Sequence, residues 1–284
     1  MQQRRIGDRH VGAIGLGAMP MSLENRPDEA RSLRTIHAAL DSGVTLIDTA
    51  DAYSTGGDDT GHNERLIAKA LSTYSGDADD VLVGTKAGHY RPADGSWLLD
   101  GRPEYVKRAC EASLRALGVE AIGLYQYHRP DPQVPYAETL GAFADLQQQG
   151  KIRLVGISNA NVQQIELAQS IVGLASVQNE FSPAFRSSAG ELRYCGEHGI
   201  AFLPWSPLGG MGSAGELGSR FAAFGDVGRV RGVSAQQVAL AWSLAQGEHV
   251  IPIPGSSRPE TITASAAAAQ ITLSAQELRQ LDSA

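Results

Sequence analysis

An aspartate, a tyrosine, a lysine and a histidine stand at or just past the ends of three apolar runs in this 284-residue chain. Asp48 closes TLID and Tyr53 follows it in DTADAY; Lys86 lies near the end of DVLVGTKA (80–87), and His128 ends IGLYQYH (122–128). A phenol titrates near pH 10, so alone it is a poor acid at neutral pH. A neighbouring ammonium favours the phenolate and eases proton release. A carboxylate could hold and balance that ammonium, and an imidazole could hydrogen-bond a substrate oxygen. Acid, tuning cation, anchoring anion and orienting imidazole together suit proton delivery to a carbonyl oxygen during its reduction, a contribution of about 10²–10⁴-fold. No side chain donates hydride, so the electron pair points to a nicotinamide cofactor.

For these four residues to meet, the runs that carry them must share one end of a sheet. Candidate strands occupy 13–17, 45–50, 80–87, 122–128, 152–158, 176–181, 200–206 and 250–255. They are near-continuous apolar runs, as expected of parallel strands buried on both faces. Helical patterns fill the gaps. Val106, Cys110, Leu114 and Leu117 recur at helical spacing before Gly118, a predicted helix stop. Ser234 with Gln237, and Ser274 with Glu277, have capping-box spacing, and Pro259 fits a first helical turn. His62 and Asn63 are expected to begin the helix after the 45–60 segment, with Asn63 as its cap.

An open dinucleotide-binding sheet should carry a GxGxxG turn after its first strand, but GLGAMPMS lacks the third glycine. The alternation therefore predicts a single (β/α)₈ TIM barrel, one domain over 1–284, with a hairpin-like N-terminal segment. Its strand ends converge on one mouth. The glycine-rich stretch 208–228 reads as a mobile loop after the seventh strand. Asp51 reads as a loop acid and His89 as an exposed loop histidine.

Composition narrows the classes. A formal net charge of -7 without a basic patch argues against nucleic acid as a partner. No run of about 18 apolar residues predicts a membrane span, and the N-terminus lacks the apolar core of a signal peptide. Two cysteines read as reduced, cytoplasmic thiols, with Cys110 in the core. A monomer or weak homo-oligomer is expected. The absence of His-x-His argues against a metal-dependent barrel hydrolase.

From AIGLGAMPMS to the last helix the chain resembles the aldo-keto reductases. The resemblance is carried by DTADAYSTGGDDTGHNERLIAKAL, VGTKAG, LYQYHRPDP, GISNA, VQNEFSP, LPWSPLGGM and IPIPGSSRPETI. It implies Tyr53 as general acid, Lys86 and Asp48 as its tuning pair, and His128 as the orienting imidazole. It implies NADPH as cofactor, with NADH possible, and a small-molecule carbonyl compound as substrate. Ser158, Asn159 and Gln178 would hold the carboxamide, Trp205 would stack on the nicotinamide, and Gly17 and Met19 would border it. Ser206, Leu208 and Gly210 would line the pyrophosphate path, and Ser256 and Arg258 would meet the 2′-phosphate.

Three positions depart from the family pattern: Ala264 and Ser265 stand where Glu-Asn often holds adenine, and Gly255 where a lysine is frequent. An open substrate pocket is expected, partly covered by 89–101 through Tyr90 and Trp97. Relatives of this fold that act as regulatory cofactor-binding subunits define the alternative reading.

Overall fold

Two antiparallel strands begin the chain, β1 (Gln3–Ile6) and β2 (Arg9–Gly12). The structure is a computed structural model that describes every residue except Met211. After the hairpin, strands and helices alternate. In order come β3 (Leu16–Gly17), α1 (Glu29–Asp41), β4 (Leu46–Asp48), α2 (His62–Thr73), β5 (Leu82–Ala87), the short β6 (His89–Tyr90) and β7 (Leu98–Leu99), and α3 (Pro103–Leu117). Then follow β8 (Ile122–Tyr127), α4 (Tyr136–Gln148), β9 (Ile152–Ser158), α5 (Val162–Ile171), β10 (Leu174–Gln178), α6 (Ala189–Glu197) and β11 (Ala201–Phe202). Helices α7 (Leu217–Arg220), α8 (Ala222–Arg231), α9 (Ala235–Leu244), α10 (Pro259–Ala267) and α11 (Ala275–Asp282) complete the chain.

The parallel sheet runs β3-β4-β5-β8-β9-β10-β11. The eighth candidate, 250–255, forms no regular strand, which corrects the expectation. Pro252 and Pro254 have no N–H to give. The segment nevertheless closes the barrel. The Ile251 and Ile253 amides donate to Phe202 O and Pro204 O at 2.9 and 3.1 Å, while Pro252 O and Pro254 O accept from Gly15 and Gly17, both at 3.0 Å. The ladder is thus served on the β11 side and half-served on the β3 side.

Several local signals act as expected. In α3, Val106, Ala109, Cys110, Ser113 and Leu117 face inward, and Gly118 ends the helix at φ 68°. Ser234 and Ser274 each form a reciprocal capping box.

Helix α2 differs from expectation, because Gly61 precedes it and Asn63 is not its cap. The Asn63 side chain turns inward instead. It donates to Ala18 O at 2.9 Å and Ser22 Oγ at 2.6 Å, and accepts from Thr49 Oγ1 at 2.6 Å. It ties together the loops that follow β3 and β4.

The 208–228 segment is a second correction, since α7 and most of α8 lie within it. Leu217, Phe224 and Val227 are buried there. A Cβ on Gly225 would lie 3.0 Å from Gly218 O, and one on Gly228 2.7 Å from Val233 O. These glycines permit close packing, so composition alone misread them. Met211, inside the segment, lies outside the described residues.

The barrel interior is layered. Leu46, Leu82 and Leu124 form an aliphatic layer with Ile6 and Val11 of the hairpin. Each such buried leucine contributes roughly 1.5–3 kcal/mol. Side chains repeat with period two along a strand. The next inward positions on β4 and β8 are therefore Asp48 and Gln126, where the interior turns polar. Gly156 makes room for that layer, because a Cβ there would meet Gln126 Cγ at 2.8 Å.

Candidate active site

Lys86 is fully buried, and its ammonium has three acceptors. Nζ donates to Asp48 Oδ2 at 2.7 Å, to Thr49 O at 2.8 Å and to Tyr53 Oη at 3.1 Å. Its donor capacity is complete. Because the Tyr53 oxygen accepts from Lys86, its own O–H is left to donate elsewhere. Asp48 is held from the other side: Oδ1 accepts from Gln178 Nε2 at 2.7 Å and from Gln126 Nε2 at 3.3 Å. The His128 ring lies edge-on to Tyr53, with centroids 5.7 Å apart. Nδ1 of His128 is buried without a partner, which leaves Nε2 as the nitrogen open to the cavity.

The electrostatics follow from depth. Burial is the largest influence on Lys86 and would lower its pKa, but Asp48 and Tyr53 outweigh it and hold the ammonium above its ordinary value. Burial raises the Tyr53 phenol above 10.0, against the opposing pull of Lys86. The sequence expectation of a phenol pulled down by lysine is therefore reversed in the open cavity, and Tyr53 keeps its proton. Burial, reinforced by Lys86, His89 and Arg129, pushes His128 well below 6.5 and keeps it neutral.

A cavity of about 530 Å³ opens above this group, a size that suits an organic ligand. Asp48, Tyr53 and His128 form its floor, with Lys86 beneath them. Ser158, Asn159, Gln178 and Trp205 line one wall, and Gly17 and Met19 another. Ser206, Leu208 and Gly210 extend it along the loop after β11, and Ser256 and Arg258 border its far end.

Local backbone geometry shapes this wall. Asn159 (φ 57°) and Ser206 (φ 49°) are non-glycine residues in the left-handed region, a conformation that costs energy and clusters at ligand sites. Gly210 has φ 96°, and a Cβ there would meet nothing nearer than Ser206 Oγ at 3.9 Å. The backbone is thus open to a close-approaching group. Asn159 Nδ2 donates to His128 O at 3.0 Å, and Gln178 Nε2 is engaged by Asp48. The side-chain oxygens of both residues accept no hydrogen bond within the described residues and remain open to the cavity. Two free amide oxygens match the N–H₂ of a carboxamide. Gly255 and Ser256 lead into the N-terminus of α10, and Arg258 is its cap residue. That placement suits an anion.

Strands β6 and β7 pair as a hairpin over the cavity, His89 with Leu99 and Tyr90 with Leu98. Arg91 clamps it, donating to Ser54 O, to Gly95 O and to Glu24, the last at 2.6 Å. Trp97 lines the cavity as expected, stacked under the Arg91 guanidinium at 4.7 Å. Tyr90 does not line it. Successive strand residues face opposite ways, and Tyr90 packs on Tyr105 at 5.7 Å between centroids. His89 takes the cavity side and is half-buried, not an exposed loop residue.

Asp51 lies in the turn after β4, in keeping with a loop acid, but it is 4% exposed and its Oδ1 has no partner among the described residues. Gln126, Arg91 and His89 were not recognised as site residues from sequence. A polar residue inside the apolar run IGLYQYH was the available signal for Gln126. No three His, Cys, Asp or Glu side chains converge as a metal-ligand set among the described residues.

Comparison with known proteins shows the family and the fold. Residues 13–284 match the profile of the Aldo/keto reductase family. An uncharacterized oxidoreductase of Schizosaccharomyces pombe is 33% identical over 282 residues, covering 98% of this chain and 88% of that protein. A glycerol dehydrogenase from Gluconobacter oxydans superposes with a TM-score of 0.85 at 27% identity, covering 99% of this chain and 94% of that chain. An aldo-keto reductase from Klebsiella pneumoniae, solved in complex with NADPH, gives 0.82 at 27% identity, covering 100% of this chain and 95% of that one. The family match and its oxidoreductase relatives define an NAD(P)H-dependent oxidoreductase. The chain belongs to the aldo/keto reductase family.

Proposed function

We propose that this protein reduces an aldehyde or ketone to the alcohol, reversibly, with NADPH as cofactor and Tyr53 as proton donor. The observation that carries the reading is the 3.1 Å hydrogen bond from Lys86 Nζ to Tyr53 Oη at the cavity floor. NADPH, when bound, supplies the hydride. Tyr53 O–H donates to the carbonyl oxygen, and His128 Nε2 fixes that oxygen from the second side. As the proton leaves, the phenolate forms against an ammonium already in place, so little reorganisation is needed. Asp48 keeps that ammonium charged in a buried setting, and Gln126 and Gln178 keep Asp48 oriented.

The residues fit the cofactor. Gln178 and Asn159 offer oxygens to the carboxamide, with Ser158 bracing both, since its hydroxyl donates to Gln178 O and accepts from Asn159 Nδ2. Trp205 supplies the ring face, and Gly17 and Met19 border it. Ser206, Leu208 and Gly210 line the pyrophosphate path, and Ser256 with Arg258 meet the 2′-phosphate. The NADPH complex of the Klebsiella relative supports this cofactor. Trp97 forms the apolar side of the substrate space.

We place the chain as one barrel domain over 1–284, a monomer or weak homo-oligomer. Its two buried free thiols suit the cytoplasm, and among the described residues no helix is long and apolar enough to cross a membrane. A panel of carbonyl compounds with NADPH or NADH, followed at the absorbance of the reduced ring, tests the reading. Absence of turnover with every member overturns it.

A further inference from the structure

A cation from a second helix reaches the phosphate end of the cavity. Arg31 stands in the first turn of α1, and its Nε donates to Ser257 O at 3.1 Å. Ser257 lines the far end of the cavity, between Ser256 and Arg258. The bond joins residues 226 positions apart, across the packed pair α1 and α10. Nη1 and Nη2 of Arg31 carry no hydrogen bond among the described residues, and no carboxylate pairs with them there. The acids beside Arg31 in sequence are engaged elsewhere. Asp28 Oδ1 accepts from the Arg31 backbone N–H at 2.7 Å, and Glu29 accepts from Lys69 Nζ at 2.5 Å.

Without Arg31 this end of the cavity is short of positive charge. Gly255 stands where a lysine is frequent in the family, and a Cβ there would lie 3.1 Å from Pro20 Cγ. Gly17 packs on the same glycine, since a Cβ on Gly17 would lie 3.3 Å from Gly255 Cα. A side chain at 255 would therefore press on the loop after β3. Arg258 is exposed, and its Nε lies 3.9 Å from Glu260 Oε1, which offsets part of its charge.

We infer that Arg31 is a specificity-determining residue that binds the 2′-phosphate of NADPH together with Ser256 and Arg258, and so sets the preference for NADPH over NADH. This inference rests on the NADPH reading above.

The chemistry suits the group. A phosphate monoester carries about 1.5–2 negative charges at neutral pH. A guanidinium can give two parallel N–H bonds to such an anion. With Nε held by Ser257 O, the two Nη groups are the donors left for it. Arg31 is half-buried and tied to the loop, so less side-chain freedom is lost on binding.

The test titrates NADPH and NADH onto the wild-type protein, Arg31→Met and Arg31→Lys, read by cofactor fluorescence without substrate. NADH lacks only the 2′-phosphate, so it reports any general loosening of the loop. Arg31→Met should weaken NADPH about tenfold, the size of one charge-assisted hydrogen bond, and leave NADH unchanged. Arg31→Lys keeps the charge without the planar fork and should recover part of the loss. Added salt should weaken NADPH more steeply in the wild type than in Arg31→Met. Equal weakening of both dinucleotides in Arg31→Met would assign Arg31 to loop packing and overturn the inference, as would unchanged affinity for NADPH. A wild type that binds NADH as tightly as NADPH defeats the NADPH reading itself, and the inference with it.

Discussion

Lys86 Nζ, itself sealed from water beneath the cavity floor, stands 3.1 Å from Tyr53 Oη and 2.7 Å from Asp48 Oδ2. The ammonium therefore links the acid that must release a proton to the carboxylate that keeps the link charged. Asp48 and Lys86 are drawn from neighbouring strands, and Tyr53 from the loop that follows the first of them.

Removing the phenol hydroxyl tests this link most directly. Tyr53→Phe is expected to lower kcat by at least about 10²-fold, with NADPH affinity unchanged in a fluorescence titration. Turnover at the wild-type rate would rule out Tyr53 as proton donor.

Lys86→Met should also abolish reduction, but it strands Asp48 as a buried unpaired charge. Breaking such a pair costs about 3–5 kcal/mol. Adding Asp48→Asn should restore much of that stability and none of the activity. Thermal melts and turnover measured on the single and double variants separate the two effects. Recovery of activity in the double variant would sink the proposed role of the ammonium.

The pH profile follows from burial. Tyr53 is held protonated above 10.0, and His128 is held neutral well below 6.5. Reduction uses the protonated phenol and the neutral imidazole, so kcat should stay level through neutral pH and fall only on the alkaline side. Oxidation of the alcohol needs the phenolate and should rise over that alkaline range. A reduction limb centred near the ordinary histidine value would contradict this assignment.

Asp51 makes a prediction about stability. Burial, then the charge of Glu64, holds its carboxyl well above 3.8. The folded protein keeps a proton that the unfolded chain releases. The associated stability is fully present below about pH 4 and declines as pH rises toward the raised folded value. Asp51→Asn keeps the shape without the ionisation and should flatten that decline. Urea midpoints at about pH 5 and about pH 8 provide the check. Parallel changes in wild type and variant would show that Asp51 is not the source.

Gly228→Ala probes the corrected helical segment. Its new Cβ would sit 2.7 Å from Val233 O, a backbone atom that cannot swing aside. A loss of about 1–3 kcal/mol is expected, read as a lower denaturant midpoint. A neutral outcome would mean the segment yields as a loose loop does.

By itself the sequence determined the repeating strand–helix order, the capping boxes at Ser234 and Ser274, the Gly118 stop and the four strand-end groups Asp48, Tyr53, Lys86 and His128. Those features are written in local periodicity and residue chemistry, which act within one element. Only the tertiary structure decided that His89 rather than Tyr90 faces the cavity, that Gln126 braces Asp48, and that Asp51 is sealed from water. The same holds for the prolines of 250–255, which still close the barrel, and the glycines of 208–228, which pack helices. Each of these depends on atoms from elements distant in the chain, and burial, the largest influence on the Tyr53 phenol, exists only once those elements are assembled.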